Sequence, residues 1–124
     1  LIDRVTLVGG DYNTDLLPAG ADFAWLSAVA HQNSRQQNRV LYARIQAALA
    51  AGGTLVIRDL VMDASRTEPP SGALFAVNML VATEGGNSYT FEEFRYGLAG
   101  AGFVDIELIH EGEWMNSLVR AGKR

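Results

Sequence analysis

Hydrophobic and polar positions change period along the chain, and the changes mark its elements. Residues 22–26 and 53–61 are short apolar runs with few charges, the pattern of parallel strands covered on both faces. Between them, residues 34–50 carry Leu41, Ile45, Ala48 and Leu49 at i, i+4, i+7 and i+8, one apolar face of a helix. Ser34, with Gln37 three residues on, fits a capping box, and Gly52-Gly53 is the expected stop. Residues 21–63 therefore predict a strand, a polar loop, a crossover helix and a second parallel strand. Residues 54–57 are the most apolar of the strands and are expected near the sheet centre.

Other stretches are read against this unit. Residues 4–8 predict a strand ended by Gly9-Gly10, and residues 13–20, with Pro18 and Gly20, predict a loop. Pro69-Pro70 excludes helix at the end of the polar stretch 64–70. Residues 71–83 are apolar and predict a helix with Leu74, Val77, Asn78 and Val81 on one face. Thr90 and Glu93 form a second capping box, opening a helix to about Gly100 with Phe91, Phe94 and Leu98 as its apolar face. Residues 103–109 then alternate apolar and polar, residues 110–113 turn, and residues 114–119 return. This predicts a terminal antiparallel hairpin. The order describes an α/β fold with a mostly parallel sheet and an antiparallel edge.

Composition narrows the class. A chain of 124 residues with a net charge of −4 and no basic stripe argues against nucleic acid or an anionic membrane as partner. It has no Cys, hence no disulfide framework and no thiolate chemistry, which fits a cytoplasmic location. No apolar run reaches the length of a membrane span. The chain opens on Leu1, not Met, and is read as a processed chain or a piece of something longer.

In open α/β sheets, ligands bind beyond the carboxyl ends of the strands. The 21–63 unit brings two chemically able residues to that edge: His31 in the loop after the first strand, and Asp59 near the end of the second. A His whose pKa lies near neutrality suits proton removal, and it also suits a plain surface loop. By itself Asp59 suits an ion pair with Arg58 or a plain loop position, and Asp11 suits an Asx turn after Gly9-Gly10. No metal-ligand spacing, Gly-rich phosphate loop or Ser-His-Asp order is present.

Several segments, in order, carry a resemblance: Val8-Gly9-Gly10-Asp11-Tyr12; Ser27-Ala28-Val29-Ala30-His31; residues 52–59, Gly-Gly-Thr-Leu-Val-Ile-Arg-Asp; Asn78-Met79-Leu80; Tyr89-Thr90 with Glu93; and Ala101-Gly102-Phe103. Together they resemble the second half of the S-adenosylmethionine-dependent O-methyltransferases of the plant caffeate and bacterial acetylserotonin type. The resemblance implies a partial Rossmann-like sheet with the first two strands of the family fold absent. It implies one incomplete domain over residues 1–124, being the carboxyl-terminal part of a methyltransferase catalytic domain. Gly9-Gly10 is not the family's cofactor loop, because Asp11-Tyr12 follows where a helix should open.

The resemblance also implies roles. His31 stands at the family's catalytic base and Asp59 at an acid that orients it. Asp11 and Tyr12 match a pair that meets the adenine of S-adenosylmethionine. Asn78, Met79 and Phe75 map to the helix lining the acceptor pocket, although Met and Phe at helical spacing also suit plain core. Ser27 stands where plant members have a cofactor-touching Lys, and Ser88 where they have a second orienting acid. Trp114 and Met115 are read as packing the hairpin, and His110 as a turn residue. The implied partners are a small-molecule hydroxyl acceptor and a second copy, as homodimer or strand-exchanged oligomer, with no nucleic acid and no membrane. The strand at 4–8 would lack its native neighbour, so exchange between chains, re-pairing within the chain, or loss of order in residues 1–20 is expected. The chain alone is expected to be inactive. Two readings stay open beside this one: a non-catalytic half-domain or regulatory paralogue, and half of another nucleotide-binding fold.

Overall fold

The computed structural model describes residues 2–124. Three helices and a four-stranded sheet form the body. They are β1 (Ala21–Ser27), α1 (Arg35–Ala48), β2 (Leu49–Asp59), α2 (Pro70–Ala82), α3 (Phe91–Gly100), β5 (Val104–His110) and β6 (Ser117–Gly122), with a short pair, β3 (Val61–Met62) and β4 (Tyr89–Thr90), set apart. The sheet order is β1-β2-β6-β5. β1 runs parallel to β2, β6 antiparallel to β2, and β5 antiparallel to β6. Only β6 is therefore reversed, and the sheet is mostly parallel in strand direction. The expected βαβ unit and terminal hairpin are both present.

The core lies between the sheet and α1 with α3: Leu41, Tyr42, Ile45, Leu55, Ile57, Phe94, Leu98 and Val119 are buried together. Both capping boxes form, Ser34 with Gln37 and Thr90 with Glu93. Glu93 also receives the Arg66 guanidinium, which donates in addition to the Ser88 carbonyl at 3.2 Å. This ties the loop before α2 to the start of α3.

Four expectations shift. The strand at 4–8 does not form. Residues 2–4 make a 3-10 turn, and Val5, Leu7 and Val8 stay exposed without a ladder partner. β1 pairs with β2 alone, so its outer edge stays open, and residues 4–8 do not occupy it.

Helix α1 ends at Ala48, before the expected stop, with the Leu49 N–H still bonded to the Ile45 carbonyl. Gly52-Gly53 instead sits in β2 beside a shift of register. Gly52 has φ +76°, and a Cβ on Gly53 would meet the Ala50 carbonyl at 2.9 Å.

In α2 the face of Leu74, Val77, Asn78 and Val81 points outward, Leu74 being 73% and Val81 83% exposed. This helix is apolar all round, so period alone does not choose its inner side. Close approach chooses it: a Cβ on Gly72 would meet Met62 Sδ at 2.3 Å.

The last strand begins at Ser117, three residues later than expected. Trp114 has φ +55°, outside the extended region, and the turn closes through the Asn116 N–H donating to the Glu113 carbonyl at 3.1 Å.

Candidate functional site

The candidate site stands at the carboxyl ends of β1 and β2. β1 ends at Ser27, and the chain breaks away through Ala28, whose φ of +56° is left-handed and strained for a residue with a Cβ. The Ala28 N–H still donates to the Arg58 carbonyl at 2.9 Å, so the break is anchored to the neighbouring strand. A 3-10 turn, Ala30–Gln32, follows and carries His31. Alternation along β2 sends Arg58 and Asp59 to opposite faces. Arg58 donates to the Ser27 hydroxyl at 3.0 Å and to Asn116 Oδ1, so its guanidinium does not engage Asp59.

Asp59 instead meets His31. The His31 Nδ1 lies 2.9 Å from Asp59 Oδ1, and the His31 N–H lies 3.4 Å from Asp59 Oδ2. The Leu60 N–H donates to the same Oδ1 at 2.8 Å. Asp59 is 1% and His31 6% exposed. A carboxylate only accepts, so Nδ1 carries a proton, and in the neutral ring Nε2 then keeps the lone pair. Among the described residues, Nε2 has no hydrogen-bond partner. The pair can hold an imidazole in one tautomer with a proton acceptor turned away from the carboxylate.

Aromatic rings continue the site. Phe75 of α2 meets the imidazole edge to face, centroids 5.0 Å apart, and Trp114 meets Phe75 in the same way at 5.4 Å. Phe75 is thus brought to His31. Met79 is buried in the same helix, whereas Asn78 is exposed on its outer side. Trp114 was expected to pack the hairpin; it is 48% exposed and stands beside α2 instead. Only its ring chemistry could have signalled this, because the bend that swings it out has no period. The Ser88 hydroxyl donates to the Gly72 carbonyl at 2.9 Å and so ties to the α2 backbone. His110 ends β5 and is exposed.

Asp11 and Tyr12 lie apart from this pair, in the segment before β1. Asp11 Oδ1 accepts from the Asn13 N–H at 2.8 Å, an Asx turn, and the Asp11 N–H donates to Asp15 Oδ2 at 2.8 Å. Tyr12 lines an apolar cavity of about 220 Å³ with Leu17, Pro18, Trp25 and Leu41. The flat apolar wall suits a ring, and among the described residues that line it none offers a side-chain carboxylate or amide to a ribose or an amino acid carboxylate.

Sequence reasoning passed over the polar residues beneath the His31 turn, Asn33, Asn38 and Tyr89, all buried. Asn38 could have been found, since it extends the stripe of Leu41 and Ile45 back by one turn. Burial pushes the phenols of Tyr42 and Tyr89 upward, Tyr89 to about 12. Both hydroxyls therefore stay protonated near neutrality. Among the described residues no cluster of metal-ligating side chains occurs, and no helix is long and apolar enough to cross a membrane.

Comparison with known proteins gives a consistent picture. The model of the O-methyltransferase domain family matches residues 1–104. A 3-hydroxy-5-methyl-1-naphthoate 3-O-methyltransferase of Streptomyces sahachiroi is 36% identical over 86% of this chain and 30% of its own length. The crystal structure of human N-acetylserotonin methyltransferase in complex with SAM superposes with a TM-score of 0.89 at 27% identity, covering 98% of this chain and 34% of that one. An O-methyltransferase family 2 protein from Planctomyces limnophilus, in complex with apigenin, superposes at 0.85 with 32% identity, covering 98% and 36%. The chain thus spans about a third of the length of the relatives it matches.

Proposed function

The chain belongs to the O-methyltransferase domain family, and on that premise we propose that it is the carboxyl-terminal part of a catalytic domain that methylates a hydroxyl of a small molecule. The observation that carries this is the buried His31–Asp59 pair with Nε2 unpartnered at the carboxyl edge of two parallel strands. In this role His31 Nε2 takes the proton of the acceptor hydroxyl as the oxygen becomes nucleophilic. Asp59 holds the ring in the tautomer that can do so, and stabilises the imidazolium that forms. S-adenosylmethionine, when bound, supplies the electrophilic methyl group. Asp11 and Tyr12 would meet its adenine end, by a hydrogen bond and by ring contact. Phe75 and Met79, with Asn78 at the outer side, would face the acceptor, and Phe75 against the imidazole favours a flat aromatic one.

The sequence contains no Gly-rich loop opening a helix after a strand, so turnover by these 124 residues alone is not expected. The cysteine-free composition suits the cytoplasm. A homodimer or strand-exchanged oligomer is part of the proposal, supported by β1 as an edge strand with Phe23 and Trp25 half exposed. The same observation favours the second reading, a self-associating half-domain without catalysis.

The test is transfer of a labelled methyl group from S-adenosylmethionine to a panel of phenols by the longest polypeptide that carries these residues. The chain alone and a His31→Ala variant are run beside it. Turnover by the long form that falls about 10²- to 10⁴-fold in the variant, with S-adenosylhomocysteine affinity kept, is the expected result. Absence of cofactor binding in both lengths would leave the non-catalytic reading.

A further inference from the structure

Helix α1 carries a polar residue where its stripe calls for an apolar one. Asn38 precedes Leu41 and Ile45 on the buried face and is itself 4% exposed. A buried amide costs several kcal/mol unless its groups are bonded. Here both ends are used. Asn38 Nδ2 donates to the Ala30 carbonyl at 2.9 Å, and Asn38 Oδ1 accepts from Nδ2 of Asn33 at 3.1 Å. Asn33 is buried as well, and its carbonyl accepts the hydroxyl of Tyr89. Ala30 and Asn33 bracket His31. The His31 carbonyl accepts the Asn87 N–H at 3.0 Å, and the Val29 carbonyl accepts the Gln32 N–H at 2.9 Å.

Packing alone does not require this arrangement. A Leu at 38 would continue the stripe without the cost of a buried amide. What the polar pair adds is direction: the Ala30 carbonyl is held from α1 and the Asn33 carbonyl from β4, so the turn between them cannot roll about the strained Ala28. Rolling of that kind would swing the imidazole off Asp59, and small misplacements of a reacting group carry large rate losses. Asp59 fixes the ring through its Nδ1, while the clamp fixes the backbone from which the ring hangs.

We infer that Asn38 and Tyr89 are positioning residues for His31, acting through the Ala30 and Asn33 carbonyls. The consequence for turnover rests on His31 being the base; the geometry does not, and it is tested without turnover.

The experiment is long-range proton–nitrogen correlation of the histidine rings in the labelled 124-residue chain, as unmodified protein, Asn38→Leu and Tyr89→Phe. Exposed His110 serves as internal control. Where the ring is neutral, His31 of the unmodified chain is expected to carry its proton on Nδ1 and to show a ring contact to Phe75. In either variant the nitrogen signals should move toward the average of the two tautomers and the Phe75 contact should weaken. The β5–β6 amides and His110 should stay in place. Folded variants with unmodified His31 signals would overturn the inference. Should Asn38→Leu fail to fold, Tyr89→Phe decides alone. In the longer, active polypeptide the same variants should lower kcat by up to about a hundredfold at constant KM for the cofactor. Absence of turnover in the unmodified enzyme would refute the base role of His31, and the ring spectra would still judge the clamp.

Discussion

His31 Nδ1 lies 2.9 Å from Asp59 Oδ1, although 28 positions separate the two residues in sequence. The contact follows from β1 and β2 being parallel neighbours: the loop leaving one and the last residue of the other reach the same edge. Both groups are nearly sealed from water. That makes the hydrogen bond strong and its loss costly.

Asp59→Asn keeps the shape and exchanges one carboxylate oxygen for an amide. With the amide oxygen in the place of Oδ1, the His31 N–H that faces Oδ2 loses its acceptor; with the amide turned over, the His31 ring and the Leu60 N–H both lose theirs. We expect kcat in the longer polypeptide to fall about 10²- to 10⁴-fold with cofactor affinity kept. The unfolding free energy of the chain should fall by about 1–3 kcal/mol, the cost of one buried unpaired group. Steady-state kinetics and urea unfolding read the two effects. An Asp59→Asn enzyme with unchanged kcat would remove Asp59 from the mechanism.

Gly86→Ala tests the other wall of the turn. A Cβ there would meet the His31 carbonyl at 2.4 Å and Thr83 Oγ1 at 2.5 Å. The first is backbone and cannot rotate away. The 83–88 loop must therefore lift, breaking the Asn87 N–H bond to the His31 carbonyl. A loss of about 1–3 kcal/mol is expected, together with faster amide exchange at Asn87. Stability and exchange equal to the unmodified chain would mean that the loop does not brace His31.

Much of this was legible in sequence, for identifiable reasons. Capping boxes are local chemistry, so Ser34–Gln37 and Thr90–Glu93 marked their helix starts correctly. The apolar runs around α1 marked the βαβ unit, and that unit brought His31 and Asp59 to one edge. What stayed hidden depends on contacts between distant segments. The outward face of α2 has the same apolar residues as an inward one, and only Gly72 against Met62 decides between them. The chain at 4–8 has strand composition but does not pair with the open edge of β1, and composition does not say which edge a segment joins. The bend at Trp114 is set by its left-handed backbone and by the crowding of Gly112 against Asn116, neither of which has a periodic signature. Asn38 and Tyr89 could not be joined to His31 before the fold put α1 and β4 on either side of the turn.

Alkaline pH offers a check on the buried phenols. Burial pushes Tyr89 up to about 12, with the Glu93 carboxylate adding to it, and pushes Tyr42 higher still. Folding thus holds these protons more tightly than the unfolded chain, whose phenols titrate near 10. The stability they contribute is complete below about pH 10 and is lost as pH rises toward 12 and beyond. In a spectrophotometric titration, phenolate absorbance from Tyr42 and Tyr89 should appear only together with the loss of helical circular dichroism. Tyr89→Phe should remove its share of the late absorbance and weaken the alkaline dependence of unfolding, while also breaking the bond to Asn33. Free ionisation of either phenol near pH 10 in a chain that keeps its helical signal would show that the hydroxyl is not enclosed, and for Tyr89 that the clamp on the His31 turn is open.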